Sequence, residues 1–361
     1  MEAQKLVWEG AIPLQIHLHE SEVTTVPAPP PALILAPRIG YLPLLASLIK
    51  PHFSGTLPPG ADTIWFEYNG LPLKWYIPTG VLFDLLSAEP ERPWNLTVHF
   101  RGYPGSILIP CEGEESIKWS FINSLKEAAH IITGNCKNVM NMSQPDQVEL
   151  WRSVLNVNLE AYLRVSSKLK LGIIGNQYTA TSNLQSSKSG QSLGETDATG
   201  NVKIGRVPVR LYVRFVSEDI DDLEDAPHVD SWEKISYINR AIEIQGEGKC
   251  FTLRDALKSL LPEYFPENFL IDEEPSSVKG EDEQRGSTED ASDTRTKEGG
   301  EDLCEYVSAC CQSVEGELKF VRIQGIEPKL ETPFTWVVTN LINPDHFLHI
   351  IVLVKVPQLT V

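Results

Sequence analysis

Apolar and polar positions alternate from Gly10 to Leu18, which places Ile12, Leu14, Ile16 and Leu18 on one face of a strand and His17 and His19 on the other side. A proline-rich loop within 24–37 then leads into the short apolar strand Ala32–Ala36, and Tyr41–Ile49 has helical spacing, with Pro43 tolerable in the first turn and Pro51 closing the helix. Thr63–Tyr68 and Leu71–Ile77 are β-branched and aromatic runs separated by Asn69-Gly70, the pair best suited to the two positive-φ positions of a tight hairpin. Pro78-Thr79-Gly80 stops the second run and offers Thr79 as the N-cap of a helix over Val81–Leu86, whose apolar residues nearly surround it and predict deep burial. Trp94–Phe100 alternates again as a half-buried strand. The order is β-β-α-β-β-α-β.

The same order returns later. Gly205-Arg-Val-Pro-Val-Arg-Leu-Tyr-Val213 repeats the spacing of glycine, proline and aliphatic residues that begins at Gly10, and Ile235–Ile244 supplies a second strand. Thr252 and Asp255 form a capping box ahead of Leu253, Ala256, Leu257, Leu260 and Leu261. Lys319–Gln324, Gly325 and Ile326–Leu330 match the hairpin around Gly70; Thr332 and Pro333 open a helix through Leu341, and Phe347–Val356 closes the copy. This is the element order of the ubiquitin-like β-grasp roll, although order alone does not set strand pairing. Between the copies, Ser116–Ile132 places Ile117, Phe121, Ile122, Leu125, Ala128, Ala129 and Ile132 on one helical face. Ser143 with Asp146 predicts a capped long helix running through Leu163. The expected class is therefore α+β: an N-terminal segment (1–9), a first ubiquitin-like β-grasp domain (10–105), a helix-rich domain (112–172) and a second ubiquitin-like domain (205–361).

Composition divides the remainder. The Ser/Thr/Gly/Gln-rich stretch 173–204 reads as a flexible linker. The segment 272–302 holds twelve acidic and four basic residues, or −8 of the total −18, and reads as a disordered insertion. A net charge of −18 argues against a nucleic-acid partner. The start of the chain has no basic-then-apolar leader pattern and no apolar run reaches membrane-spanning length, so a soluble, cytoplasmic protein is expected. The six cysteines lack Cys-x-x-Cys spacing, which fits reduced thiols better than disulfides or zinc.

Candidate chemistry is sparse. No phosphate loop, zinc spacing or Gly-x-Ser-x-Gly motif is present, and no cofactor is implied. His17 and His19 form a two-histidine pair without a third ligand in view, so a solvated strand face is the better reading. Asp62, Glu67 and Asp84 surround the first hairpin without standing out as an acid–base pair. Cys310-Cys311 beside Cys304, with His346 or His349 as base, is the nearest approach to a nucleophile, and small buried residues are again the better account. The chain is expected not to be an enzyme in its own right. Its last residues, Pro357-Gln-Leu-Thr-Val361, carry no C-terminal glycine, so the remaining role for such a fold in conjugation is to accept. An acceptor needs a reachable lysine held in place. By physics alone, Lys126 is one surface lysine among several.

At this point the residues resemble a known family. Trp65-Phe-Glu-Tyr-Asn-Gly-Leu-Pro-Leu-Lys-Trp75, Gly80–Leu85, Pro93–Phe100, Leu125-Lys-Glu-Ala128, Asp230–Arg240, Gln324–Pro328 and Phe347–Ile350 are similar to stretches of the autophagy protein 5 family. The resemblance implies two ubiquitin-like domains flanking a helix-rich domain. It further implies that autophagy protein 12 is joined by an isopeptide bond to the lysine of the Leu-Lys-Glu-Ala motif, here Lys126. Binding of autophagy protein 16, contact with the conjugating enzymes, ligase-like promotion of autophagy protein 8 lipidation with phosphatidylethanolamine, and transient recruitment to the forming autophagosome membrane follow from the same resemblance. Ala129 stands where many members carry Asp, and the linker and acidic insertion look longer than in compact members. The alternative is a purely non-covalent adaptor, whose two rolls and helices form a groove for a partner helix.

Overall fold

The computed structural model describes residues 2–58, 60, 63–88, 90–172, 205–217, 226–244, 251–265 and 317–356. The stretches read as linker (173–204) and acidic insertion (272–302), together with Asp62, Cys304, Cys310, Cys311 and the last five residues, lie outside them.

The first sheet takes strands in the order β2-β1-β5-β3-β4, from β1 (Ala11–Leu18), β2 (Ala32–Pro37), β3 (Trp65–Tyr68), β4 (Leu71–Pro72) and β5 (Trp94–His99). β1 runs parallel to β5 and antiparallel to β2, and β3 is antiparallel to β5. That is the β-grasp arrangement. The alternation in β1 is realised: Ile12, Leu14, Ile16 and Leu18 are buried against α2 (Ala46–Phe53) and α3 (Thr79–Leu86). Every residue of α3 is buried, and Asn69 and Gly70 take φ of 49° and 83°, as a two-residue hairpin turn requires.

Several local expectations are corrected. Pro51 does not end α2, which continues to Phe53; burial of the Phe53 ring in the core offsets the hydrogen bond that proline cannot donate. The second hairpin strand stops after Pro72, beyond which Leu73 and Trp75 turn into the interior. Thr79 is not an N-cap. It lies in the first turn of α3, and its N–H and hydroxyl both donate to the Gly40 carbonyl, at 2.8 and 3.1 Å, so the distant loop after β2 satisfies the helix start.

The second sheet repeats the plan with one strand fewer, in the order β7-β6-β9-β8, from β6 (Gly205–Ser217), β7 (Ile235–Ile244), β8 (Glu317–Arg322) and β9 (Leu348–Val356); the hairpin strand expected over Ile326–Leu330 is reduced to a single bridge between Ile323 and Ile326. β6 is parallel to β9 and antiparallel to β7. The parallel ladders start at Leu14 opposite Trp94 in one copy and at Val209 opposite Leu348 in the other, so the sequence repeat and the registers agree. α8 (Leu253–Leu260) carries the complete Thr252/Asp255 capping box, α9 (Phe334–Leu341) packs on the sheet, and Gln324 and Gly325 reproduce the positive-φ turn.

Between the rolls stand α4 (Glu114–Thr133), α5 (Lys137–Met140), α6 (Gln144–Leu155) and α7 (Leu159–Ser166). The apolar face of α4 is buried as its spacing predicts. The single long helix after Ser143 is instead two. Val157 adopts φ 54°, the Asn158 N–H closes on the Ser153 carbonyl at 2.8 Å, and the Asn158 side chain caps α7 by accepting from the Ala161 N–H. The Ser143 cap is half a box, because its hydroxyl, rather than its amide, donates to Asp146. The N-terminal segment contains a helix, α1 (Glu2–Trp8), whose Trp8 ring packs 4.6 Å from that of Tyr162 in the helical core.

Candidate functional site

Lys126 lies just past the middle of α4, and the four residues of its motif point in different directions. Leu125 and Ala128 are buried in the helical core, whereas Lys126 is only partly covered. Its Nζ donates to Asn123 Oδ1 at 3.4 Å and stands 5.9 Å from the centre of the exposed Trp119 ring. No carboxylate pairs with it among the described residues. Glu127, next in sequence, faces the second roll and accepts from Arg210 Nη2 at 2.8 Å and from Asn239 Nδ2 at 2.6 Å. The amine is thus free of a counter-ion on a helix whose adjoining residue is tied across an interface. Ala129 is wholly buried and faces the helical core.

Arg210 is the hub of that interface. Its guanidinium also reaches Ser124 Oγ (3.1 Å) and Asp345 Oδ2 (3.3 Å), and it lies 3.8 Å from the centre of the Phe347 ring. Burial opposes ionisation of Asp345, but His349, Arg210 and the Phe347 N–H together hold its carboxyl below the usual range. Tyr162 of α7 donates to the Pro344 carbonyl at 2.7 Å, adding a second tie between helices and roll.

The two rolls meet at the C-terminal end of α3. Arg322 donates to the carbonyls of Asp84 (3.4 Å), Ser87 (2.9 Å) and Ala88 (3.0 Å), and Arg214 to that of Leu86 (3.4 Å). Two cations thereby satisfy the carbonyls that a helix leaves unpaired at its negative end. Asp84 pairs with Arg38 and accepts from the Gly325 N–H at 2.7 Å; burial nevertheless raises its pKa, with the two arginines opposing. At the rim, Trp232 Nε1 donates to the Pro72 carbonyl at 2.8 Å under Lys74, and Tyr237 stands exposed with Tyr76 nearby.

Other sequence candidates are explained locally. His17 is bonded to Gln15 and His19 to Ser21, and no group of three potential metal ligands occurs among the described residues. Glu67 Oε2 accepts from His99 Nε2 at 3.1 Å, whereas Asp84 belongs to the junction. His349 is buried between Asp345 and Tyr212, and His346 is partly covered, with its Nε2 out of solvent contact and its pKa lowered to about 4 by loss of solvent. Neither is presented as a base toward solvent. The arginine junctions were invisible to apolar periodicity, because a buried arginine has the same letter as a solvated one.

The fold and this junction define a class: a chain of two ubiquitin-like rolls clamped around a helical bundle. Three family models match in succession, described as Autophagy protein ATG5 UblA domain (residues 7–100), alpha-helical bundle region (114–172) and UblB domain (206–352). Autophagy protein 5 of Arabidopsis thaliana is 59% identical over 99% of both chains, and Autophagy protein 5 of Oryza sativa subsp. indica is 52% identical over 98% of this chain and 94% of that one. The crystal structure of Kluyveromyces marxianus Atg5 shares the fold, with a TM-score of 0.59, 20% identity, and coverage of 97% of this chain and 98% of that one. The chain belongs to the autophagy protein 5 family. No helix among the described residues is long and apolar enough to cross a membrane.

Proposed function

We propose that this chain is a conjugation scaffold of autophagy, with Lys126 as the acceptor of autophagy protein 12. The amine would attack the carbonyl carbon of a thioester on a conjugating enzyme. A C–N isopeptide bond forms, the C–S bond breaks, the thiolate leaves and the amine gives up a proton. The catalytic cysteine belongs to that enzyme, so this chain needs only to position its lysine, and it is not itself an enzyme. The conjugate binds autophagy protein 16 and promotes transfer of autophagy protein 8 to phosphatidylethanolamine, acting in the cytoplasm and transiently at the forming autophagosome membrane. The observation that carries the reading is the free Lys126 amine on a helix tied, through its neighbour Glu127, to Arg210 and Asn239.

The test is reconstitution with the activating and conjugating enzymes and autophagy protein 12, comparing wild type with Lys126→Arg on a denaturing gel. A heavier band in wild type that is lost in the variant is expected. A band that persists in the variant places the acceptor elsewhere. The exposed Tyr237 and the Lys74–Trp232 contact at the roll junction favour a second, compatible reading, an adaptor that binds a partner helix without covalent chemistry. Retention of a helical partner by Lys126→Arg separates the two roles.

A further inference from the structure

β2 is an outer strand of the first sheet and, among the described residues, pairs with β1 alone. Its backbone directions follow from the ladder. The Arg38 N–H donates to the Gly10 carbonyl at 2.9 Å, which fixes those two as a hydrogen-bonded pair. Antiparallel alternation then turns the amide groups of Ala32, Ile34 and Ala36 toward β1, and those of Leu33 and Leu35 outward. The outward amides have no partner among the described residues. The two leucine side chains are 74% and 68% exposed, and no charged residue interrupts the strand. Sheet edges are normally blunted by charge, bulges or proline. Here Pro31 and Pro37 stop pairing at either end and leave the middle open.

The residues across this edge are Pro31-Ala-Leu-Ile-Leu-Ala-Pro37, which read the same in both directions. An antiparallel partner of identical sequence, centred on Ile34, sets Ala32 opposite Ala36, Leu33 opposite Leu35, and Ile34 opposite itself. The outward amides of Leu33 and Leu35 then meet in the hydrogen-bonded register, each pair exchanging both bonds. The prolines, which lack an N–H, end the ladder at the same point on both sides. We propose that β2 is a self-association edge, through which two copies of this chain join their first sheets about a two-fold axis at Ile34.

The occupant is a second copy because an identical strand matches this edge in length, pattern and proline stops at once. A two-fold axis normal to the sheet also carries both α2 helices to the same face. Leu48 of α2, itself exposed, lines with Leu33 and Leu35 a groove of about 390 Å³ beside the strand. A six-residue edge buries less than the roughly 800 Å² per partner of a standard interface, so the association is weak, in the micromolar range. Each copy carries −18, so salt strengthens the pairing by screening.

The experiment is sedimentation velocity of the full chain from roughly 1 to 300 μM, at low and high salt. A reversible monomer–dimer equilibrium that tightens with salt is expected, weakened at least tenfold by Leu33→Lys with unchanged circular dichroism, since residue 33 is exposed. In addition, Ile34→Cys should oxidise to a covalent dimer, because the dyad brings the two Cα atoms to about 4.5 Å, within disulfide reach. Wild type controls for the native thiols. A monomer at every concentration overturns the proposal, as does a dimer that survives Leu33→Lys. A chain that stays monomeric but retains an added apolar strand peptide would assign the edge to another occupant and overturn it equally.

Discussion

Among the described residues Arg210 has two carboxylate partners, and distance and burial rank them in opposite order. Glu127 is nearer, at 2.8 Å against 3.3 Å for Asp345, but its side chain is 44% exposed and that of Asp345 only 3%. In contact with solvent, Glu127 can exchange the guanidinium for water, and such pairs contribute about 0.2–1 kcal/mol. Asp345 has no such exchange. Removing Arg210 strands a buried carboxylate, a change that costs about 3–5 kcal/mol in general. The lower end applies here, because Asp345 keeps the Phe347 N–H and His349 as partners. Arg210→Met is therefore expected to destabilise by roughly 3 kcal/mol, and Glu127→Gln by less than about 1. In double-mutant cycles, Arg210 and Asp345 (as Asp345→Asn) should couple by about 2 kcal/mol or more, and Arg210 and Glu127 by under about 1. The assay is urea unfolding followed by tryptophan fluorescence, read as the midpoint at constant slope. If the Glu127 coupling equals or exceeds that of Asp345, contact distance rather than desolvation sets the energies and the reasoning fails. The same variants bear on the acceptor: Glu127→Gln should slow conjugation at Lys126 with little change in midpoint, because it loosens the local tie while sparing the core.

Gly325→Ala should destabilise by about 2–3 kcal/mol, combining left-handed strain with overpacking; the φ is +74° and a Cβ there would lie 2.8 Å from Arg38 Cζ, which Asp84 holds in place. A midpoint within error of wild type would show that Arg38 moves freely. Thr252→Ala removes one half of the α8 capping box and should lower stability by about 1 kcal/mol in the same assay, with Thr252→Ser restoring most of it. His346 is lowered from 6.5 to about 4, so the unfolded chain binds its proton first as pH falls. Its contribution is complete above pH 6.5 and is lost on acidification toward pH 4, at about 1.4 kcal/mol per unit or roughly 3 kcal/mol in all. His346→Asn, which tolerates the φ of 61° at this position, should flatten that slope; an unchanged slope would assign it to other groups.

Locally encoded features were legible in the sequence. The Asn69-Gly70 turn, the apolar stripe of α4 and the box at Thr252 each depend on residues a few positions apart. The misread positions are those where a distant segment decides. Thr79 has the letter of an N-cap, but Gly40 takes its hydroxyl, and Pro51 has the letter of a helix stop, but the Phe53 ring draws the helix onward into the core. The break between α6 and α7 had a local signal in Asn158, which the continuing apolar pattern masked. At the candidate site, Lys126 was singled out only by its motif. The partners of its neighbour Glu127 lie 83 and 112 residues away, beyond any spacing argument.

The internal repeat nevertheless holds a signal for those partners. Aligned by register, Arg210, Arg214 and Arg322 of the second copy stand where the first has Gln15, His19 and Glu67. The ladders are the same, so backbone pairing cannot be what distinguishes these positions. What differs is the neighbour: the second copy turns these arginines toward α4 and the C-terminal end of α3, whereas in the first Gln15 bonds to His17, and Glu67 bonds to His99 within its own sheet. At this junction the facing groups are unlike, cations of the second copy against the carbonyls at the C-terminal end of α3 and the carboxylate of Glu127, which like charges buried at the same places could not replace. Positions where two copies of a repeat keep their place in the ladder and change their charge are thus the positions to inspect for the interface between them.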